Sequence, residues 1–373
     1  MGKYPTTPEE LSAEALTALI RPWQPEAAVE AFRVVETKVY GDGMVSTSGR
    51  MVVELDYAPG GPNDLPGRVV IKTARPDLIA AGRQTHRAAW AIYANEVGVY
   101  EQVQPWKDVE APRSLGGGYD PESGTFSLML EDLRLRGGSF PNATTPVSLN
   151  QVRALLNELA KLHALYWESP RFQSDLAWLE THESGAIHDQ FTRPDGICVL
   201  IQREVDTEPF KREMVERLGL KAADLYDGFL KLERHQARLP QTLLHGDTHI
   251  GNTYSLPGER GGFLDWQLSQ RGYFMHDVSY LITTSLSVAA RRANEQALLQ
   301  HYLEQLRAEG VKTPPSFDEA WTEHSRAQVW NVYIGWLTTA TPNYGWEISV
   351  MNHLRTMTAF EDLETAKLLA AMD

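Results

Sequence analysis

Leu243–Gln267 reads LLHGDTHIGNTYSLPGERGGFLDWQ. An apolar step leads into His245-Gly246-Asp247. Asn252 stands five positions after that Asp, and Asp265 thirteen further on. A loop followed by a hairpin brings two acids and an amide at this spacing together. Thr253-Tyr254-Ser255 reads as a strand, Pro257 to Gly262 as a turn, and Gly262-Phe263-Leu264 as the returning strand.

HGDTHIGN followed by LDWQ resembles the aminoglycoside phosphotransferase and choline kinase-like superfamily, and the DWQ triplet resembles its ecdysteroid kinase-like branch. His249 and Gly251 are closer to the aminoglycoside kinase form of the loop. The resemblance implies ATP-dependent transfer of the γ-phosphate to a hydroxyl of a small molecule. It makes Asp247 the catalytic residue, which orients the hydroxyl and takes its proton, and Asn252 and Asp265 the ligands of Mg²⁺. Catalysis would be chiefly positioning and electrostatics. The fold class it implies is α+β: a bilobal protein kinase-like fold. Residues 1–132 form a nucleotide-binding lobe, a five-stranded antiparallel sheet with a helix. Residues 133–373 form a mostly helical lobe with the catalytic loop and substrate site.

The composition agrees with this outline. A chain of 373 residues is long enough for two cores. The net charge of −14 argues against a nucleic-acid partner. Cys198 is the one cysteine, which rules out an intrachain disulfide and fits a reducing, cytoplasmic compartment. No apolar run is long enough to span a membrane, and the first residues lack the apolar core of a signal peptide.

Thr7-Pro8-Glu9-Glu10-Leu11 reads as a helix start, with the helix running to about Ile20. Phe32–Val39, Arg50–Tyr57 and Arg68–Lys72 read as three strands. Between the first two lies Gly41-Asp42-Gly43-Met44-Val45-Ser46, a glycine-containing turn that lets backbone amides approach phosphates. Ser46, where protein kinases have a third glycine, resembles the ecdysteroid kinase-like pattern. Lys72 ends an apolar strand in the manner of the V-A-I-K element, whose Lys pairs nucleotide phosphates and a helix Glu. Glu96, on a helix from about Arg83 to Val103, is its expected partner, with Glu101 the second choice. Tyr93, Val97 and Tyr100 form the stripe that packs this helix on the sheet. Ser114–Tyr119 and Thr125–Leu130 complete five strands. By the resemblance, the last leads into an interlobe hinge where the Glu131 carbonyl and the Leu133 amide meet adenine.

Ser148–Trp167 is strongly periodic and reads as a helix with His163 packed inside; by the resemblance, this helix supports the catalytic loop. Pro170–Val205 has no clear pattern and is expected to form a substrate-side insertion. Lys221–Gln236 is a further helix. Asp277 opens another, where it can cap the helix and fix the backbone around His245. Three helices follow near Arg292–Glu309, Phe317–Thr341 and Glu347–Leu369. Trp336, Tyr344 and Trp346 suggest an aromatic pocket, although aromatic stripes more often belong to a core.

Two other readings use the same residues. His245, Asp247 and His249 form H-x-D-x-H, which on an extended segment share a face and suit the zinc or di-metal site of a metal-dependent hydrolase. That reading leaves Lys72, Glu96 and the DWQ triplet unused. A catalytically inactive nucleotide-binding protein is the other, and the presence of every expected catalytic residue argues against it.

Overall fold

A computed structural model of the chain describes residues 2–38, 47–62, 64–82, 87–103 and 109–372. They cluster into two compact units, residues 1–107 with 111–139, and residues 108–110 with 140–373. Gly41, Gly43 and Ser46 lie outside the described residues.

The first unit is built on a five-stranded antiparallel sheet of order β1-β2-β3-β5-β4. Its strands are β1 (Val29–Lys38), β2 (Ser48–Tyr57), β3 (Arg68–Ala74), β4 (Ser114–Tyr119) and β5 (Phe126–Glu131). Met51, Val53, Val69, Ile71 and Met129 share one face of the sheet and bury a core with helix α1 (Ala13–Ile20). The N-terminal helix does not begin at Thr7, as the sequence suggested. Pro8–Glu10 forms one 3-10 turn, and Thr7 makes no side-chain cap. The Glu10 carboxylate instead accepts the Thr6 N–H at 2.6 Å, and extended Leu11 turns into the core. The helix then starts afresh at Ser12, whose hydroxyl accepts the Ala15 N–H. A short helix α2 (Pro76–Ala80), absent from the sequence reading, precedes α3 (Arg87–Gly98), which continues as a π-turn over Val99–Val103. The Tyr93, Val97 and Tyr100 stripe is buried as expected, and the Tyr93 ring stacks on Phe126 at 4.6 Å.

The second unit is mostly helical. Its helices are α4 (Leu149–Leu165), α5 (Ala186–Thr192), α6 (Ile197–Thr207), α7 (Pro209–Arg217), α8 (Ala222–Gln236), α9 (Met275–Ser285), α10 (Val288–Ala308), α11 (Phe317–Val332), α12 (Thr341–Tyr344), α13 (Trp346–Asp362) and α14 (Thr365–Ala370). Helix α4 begins with a complete capping box between Ser148 and Gln151. The segment without a clear pattern, 170–205, folds as α5 and most of α6. The apolar face of α6 joins Phe229, Trp330 and Tyr333 in one core. Two short ribbons sit among the helices: β6 (Thr242–Leu244) with β9 (Gln270–Gly272), and β7 (Thr253–Leu256) with β8 (Arg260–Phe263). No helix among the described residues is long and apolar enough to cross a membrane.

Candidate active site

In the first unit, β3 carries Lys72 and α3 carries Glu96. The Lys72 ammonium donates to both Glu96 carboxylate oxygens, at 2.7 and 2.6 Å. Glu96 is buried while Lys72 stays partly open, at 1 % and 13 % side-chain exposure. The buried acid thus fixes a Lys side chain that is not itself fully buried. Glu101, the second choice, is exposed. At the end of β5 the Glu131 carboxylate accepts the Arg113 N–H and an Arg136 guanidinium N–H, each at 2.9 Å. Buried Asp132 is pinned by Arg68 at 2.6 Å and Arg134 at 2.9 Å, and caps the 3-10 turn Leu133–Arg136. The segment holding the Glu131 carbonyl and the Leu133 amide is therefore braced by three guanidinium groups.

In the second unit, β6 ends at Leu244, and the loop that begins at His245 is held by a network of hydrogen bonds. Asp277, fully buried, is the centre. Its Oδ2 accepts the His245 N–H at 2.7 Å, and its Oδ1 accepts the Gly246 N–H at 2.9 Å. His163 donates to Oδ2 at 3.2 Å, and its other ring nitrogen meets the Tyr302 hydroxyl at 2.7 Å. Asp277 makes no helix-cap bond; it lies in the first turn of α9 and spends its acceptors on the loop. Burial alone would raise its carboxyl, but the His163 bond and the nearby imidazoles outweigh burial and hold it below the usual range. Gly246 sits at φ +85°, and a Cβ there would stand 2.0 Å from the Leu268 carbonyl oxygen, so only glycine fits.

The His245 ring links the loop to the strand that returns. Its Nδ1 accepts the Asp247 N–H at 3.2 Å, so Nε2 carries the proton and donates to the Leu264 carbonyl at 3.1 Å. Trp266, fully buried, packs edge-on against this ring at 4.5 Å. The β7–β8 hairpin pairs Thr253 with Phe263, and the Leu264 N–H donates to the Asn252 carbonyl at 2.9 Å. Asn252 and Asp265 are thereby brought to the same end of the hairpin. The Asn252 amide donates to the Asp247 carboxylate at 2.9 Å and to the Asp247 carbonyl at 3.0 Å. Both amide hydrogens are spent, so its oxygen is the atom left for a cation. Asp265 adopts φ +69°, a left-handed conformation uncommon outside glycine. Two hard oxygen donors from the protein suit Mg²⁺, which keeps waters and substrate phosphates as its other ligands.

Burial and the neighbouring Asp265 carboxylate push the Asp247 carboxyl up to about 8. The H-x-D-x-H triplet does not make a zinc set. Nδ1 of His249 accepts the Gly251 N–H at 3.1 Å, both ring nitrogens of His245 are committed, and no three such side chains are grouped for a metal among the described residues. Burial also drives the His249 imidazole down to about 4, so it is neutral.

The model of the ecdysteroid kinase-like family matches residues 41–312. The chain belongs to the ecdysteroid kinase-like family. Its solved relatives include choline kinase from Cryptosporidium parvum Iowa II, with a TM-score of 0.50 at 10% identity, covering 89% of each chain. That likeness gives the protein kinase-like fold. The aminoglycoside 2'-phosphotransferase-IIIa structure aligns over 94% of this chain and 99% of that one, at 12% identity and TM-score 0.48. A methylthioribose kinase of Bacillus cereus is 30% identical over 135 residues, 34% of each protein. The chain thus spans about a third of the length of the curated relatives it matches.

Beside Asp247 the ecdysteroid kinase-like chain has a cavity of about 160 Å³, which the sequence only hinted at. Asp247 and His249 form one wall, and Tyr280, Trp330, Trp336 and Tyr344 line much of the rest. The His249 ring meets Tyr280, Trp336 and Tyr344 edge-on at 6.0, 5.9 and 6.2 Å. Of the aromatic residues singled out from sequence, Trp346 does not take part; it stacks edge-on with Phe210 and lines another cavity. Lys211, which no motif marked, steadies the wall. Fully buried, it bonds the Leu337 and Thr339 carbonyls at 3.2 and 2.7 Å and pairs with Glu204 at 2.9 Å.

Proposed function

We propose that this protein transfers the γ-phosphoryl group of ATP to a hydroxyl of a small molecule. The observation that carries the reading is the Asp247 carboxylate, held by Asn252 and set in the wall of an aromatic cavity. A hydroxyl in that cavity lies against the Asp247 carboxylate, which is placed to orient it and take its proton. The acceptor oxygen bonds to phosphorus as its proton passes to Asp247, and the bond to the ADP oxygen breaks. Asn252 and Asp265 hold Mg²⁺, which when bound offsets charge on the phosphates. Lys72, aimed by Glu96, pairs with the α- and β-phosphates. The Glu131 carbonyl and Leu133 amide take the edge of adenine, and Gly41, Gly43 and Ser46 supply phosphate contacts on sequence grounds. A cytoplasmic setting fits the single cysteine.

The cavity also bears on the acceptor. Asp247 is the one carboxylate in its lining, and His249 is neutral. Such a wall favours an uncharged alcohol with an apolar or ring-bearing body over a polycationic amino sugar. The test is Asp247→Asn assayed against a panel of hydroxyl compounds for ATP consumption. Turnover should fall at least ~10²-fold while nucleotide binding survives. A variant that turns over at the parent rate would overturn the assignment.

A further inference from the structure

A second cavity, of about 690 Å³, opens in the helical unit where the segment before α4, the α9–α10 junction and the start of α13 meet. It shares no lining residue with the cavity beside Asp247. Its size is in the range that holds a small organic ligand.

Arg355 lines this cavity at 5 % exposure. Its two terminal nitrogens donate to the Thr284 and Ala143 carbonyls, the latter at 2.8 Å. Its Nε has no hydrogen-bond partner, and no carboxylate pairs with it among the described residues. A buried guanidinium without a counter-charge is costly, and two neutral carbonyls do not neutralise it. Two further features have the same sign. The Ser285 hydroxyl, in the lining and 2 % exposed, also lacks a partner. The 21-residue helix α10 starts at the cavity: Ser287 caps it, Ser287 and Ala290 line the cavity, and its first turn has no acid. The rest of the lining is largely apolar and includes Val147, Leu286, Val350 and Met351, with the exposed Trp346 ring and the Glu347 carboxylate also in it.

From this juxtaposition we propose that the cavity is a binding site for a small organic anion, an apolar body ending in a carboxylate. The carboxylate sits at Arg355, Ser285 and the amino end of α10, and the body lies along the apolar lining. An anion supplies the charge that the guanidinium lacks. The chain's net charge of −14 gives no general attraction for anions, so the recognition is local.

Titration calorimetry of the full chain with octanoate, octan-1-ol and octyltrimethylammonium tests this. Octanoate should bind at one site, at least ~10-fold more tightly than the alcohol of the same length, because charge-assisted bonds are about twice as strong as neutral ones. The cationic analogue should not bind. Arg355→Gln should bring octanoate to within about 3-fold of octanol and leave octanol unchanged. Ser285→Ala removes a hydroxyl with no partner, so the fold tolerates it; octanoate should weaken by about 3-fold or more, octanol not at all. Val350→Trp fills the cavity and should abolish both. Should Arg355→Gln fail to fold, the other two variants and the parent's discrimination decide alone. Equal affinity for octanoate and octanol, no binding of octanoate, or octanoate binding that survives Val350→Trp would overturn the proposal.

Discussion

Asp277→Asn replaces an acceptor of three bonds with a group of the same shape that accepts at one oxygen only. In the parent the two carboxylate oxygens take the His245, Gly246 and His163 donors at 2.7, 2.9 and 3.2 Å. The amide does least harm with its oxygen at the Oδ2 position, where it keeps His245 and His163. Its NH₂ then faces the Gly246 N–H, which is left unsatisfied in a fully buried place. That donor costs about 1–3 kcal/mol, and losing the charge weakens the other two bonds by about 1 kcal/mol each, so the loop should lose about 3–5 kcal/mol. Amide hydrogen exchange of the peptide covering 243–252 reads this locally. With about 1.4 kcal/mol per tenfold, its slowest amides should exchange ~10²-fold faster or more. The effect should depend on pH with a definite sign. The Asp277 pKa is depressed in the folded state, so its contribution is complete above the unfolded value of about 4 and is lost as pH falls through the folded value. Parent and variant should differ fully at pH 7 and converge on acidification. A change of less than about 5-fold at pH 7, or a difference that grows toward acid, would refute the view that Asp277 braces the loop.

Lys72→Met should weaken ATP binding and turnover with the fold intact, and Glu96→Gln should do so more mildly. In the double variant the losses should fall short of their sum by at least ~0.5 kcal/mol, and strict additivity would break the link drawn from the 2.6 Å ion pair. ATP affinity should rise with Mg²⁺ in the parent and become indifferent to it in Asp265→Ala; a variant with unchanged Mg²⁺ dependence would remove Asp265 from the metal site. Lys211→Met should strip Glu204 and two carbonyls of a buried partner. A loss of about 3–5 kcal/mol in urea unfolding is expected, and an unchanged midpoint would mean that the wall stands without it.

The layout of the candidate site was legible in the chain because its elements are local and its spacings are fixed by them. An Asp and an Asn five apart belong to one loop, and a hairpin of known turn chemistry returns Asp265 to that loop. Alternation and the glycine turn marked the first strands, and the α3 stripe put Glu96 within reach of Lys72 on β3. Capping chemistry was less decisive where tertiary bonds compete for the same groups. Thr7 and Asp277 are both plausible caps by sequence. Glu10 bonded back to Thr6 and a buried Leu11 moved the first helix start to Ser12, while two amides 31 and 32 residues away claimed Asp277. Other features have no local signature. Gly246 is required by the Leu268 carbonyl, Lys211 by carbonyls 126 and 128 residues away, and Arg355 touches Ala143 across 212 residues. Local periodicity states which face of a helix is apolar, but not which distant backbone will need a donor there. That is settled only when burial removes water and each polar group must find a partner inside the fold.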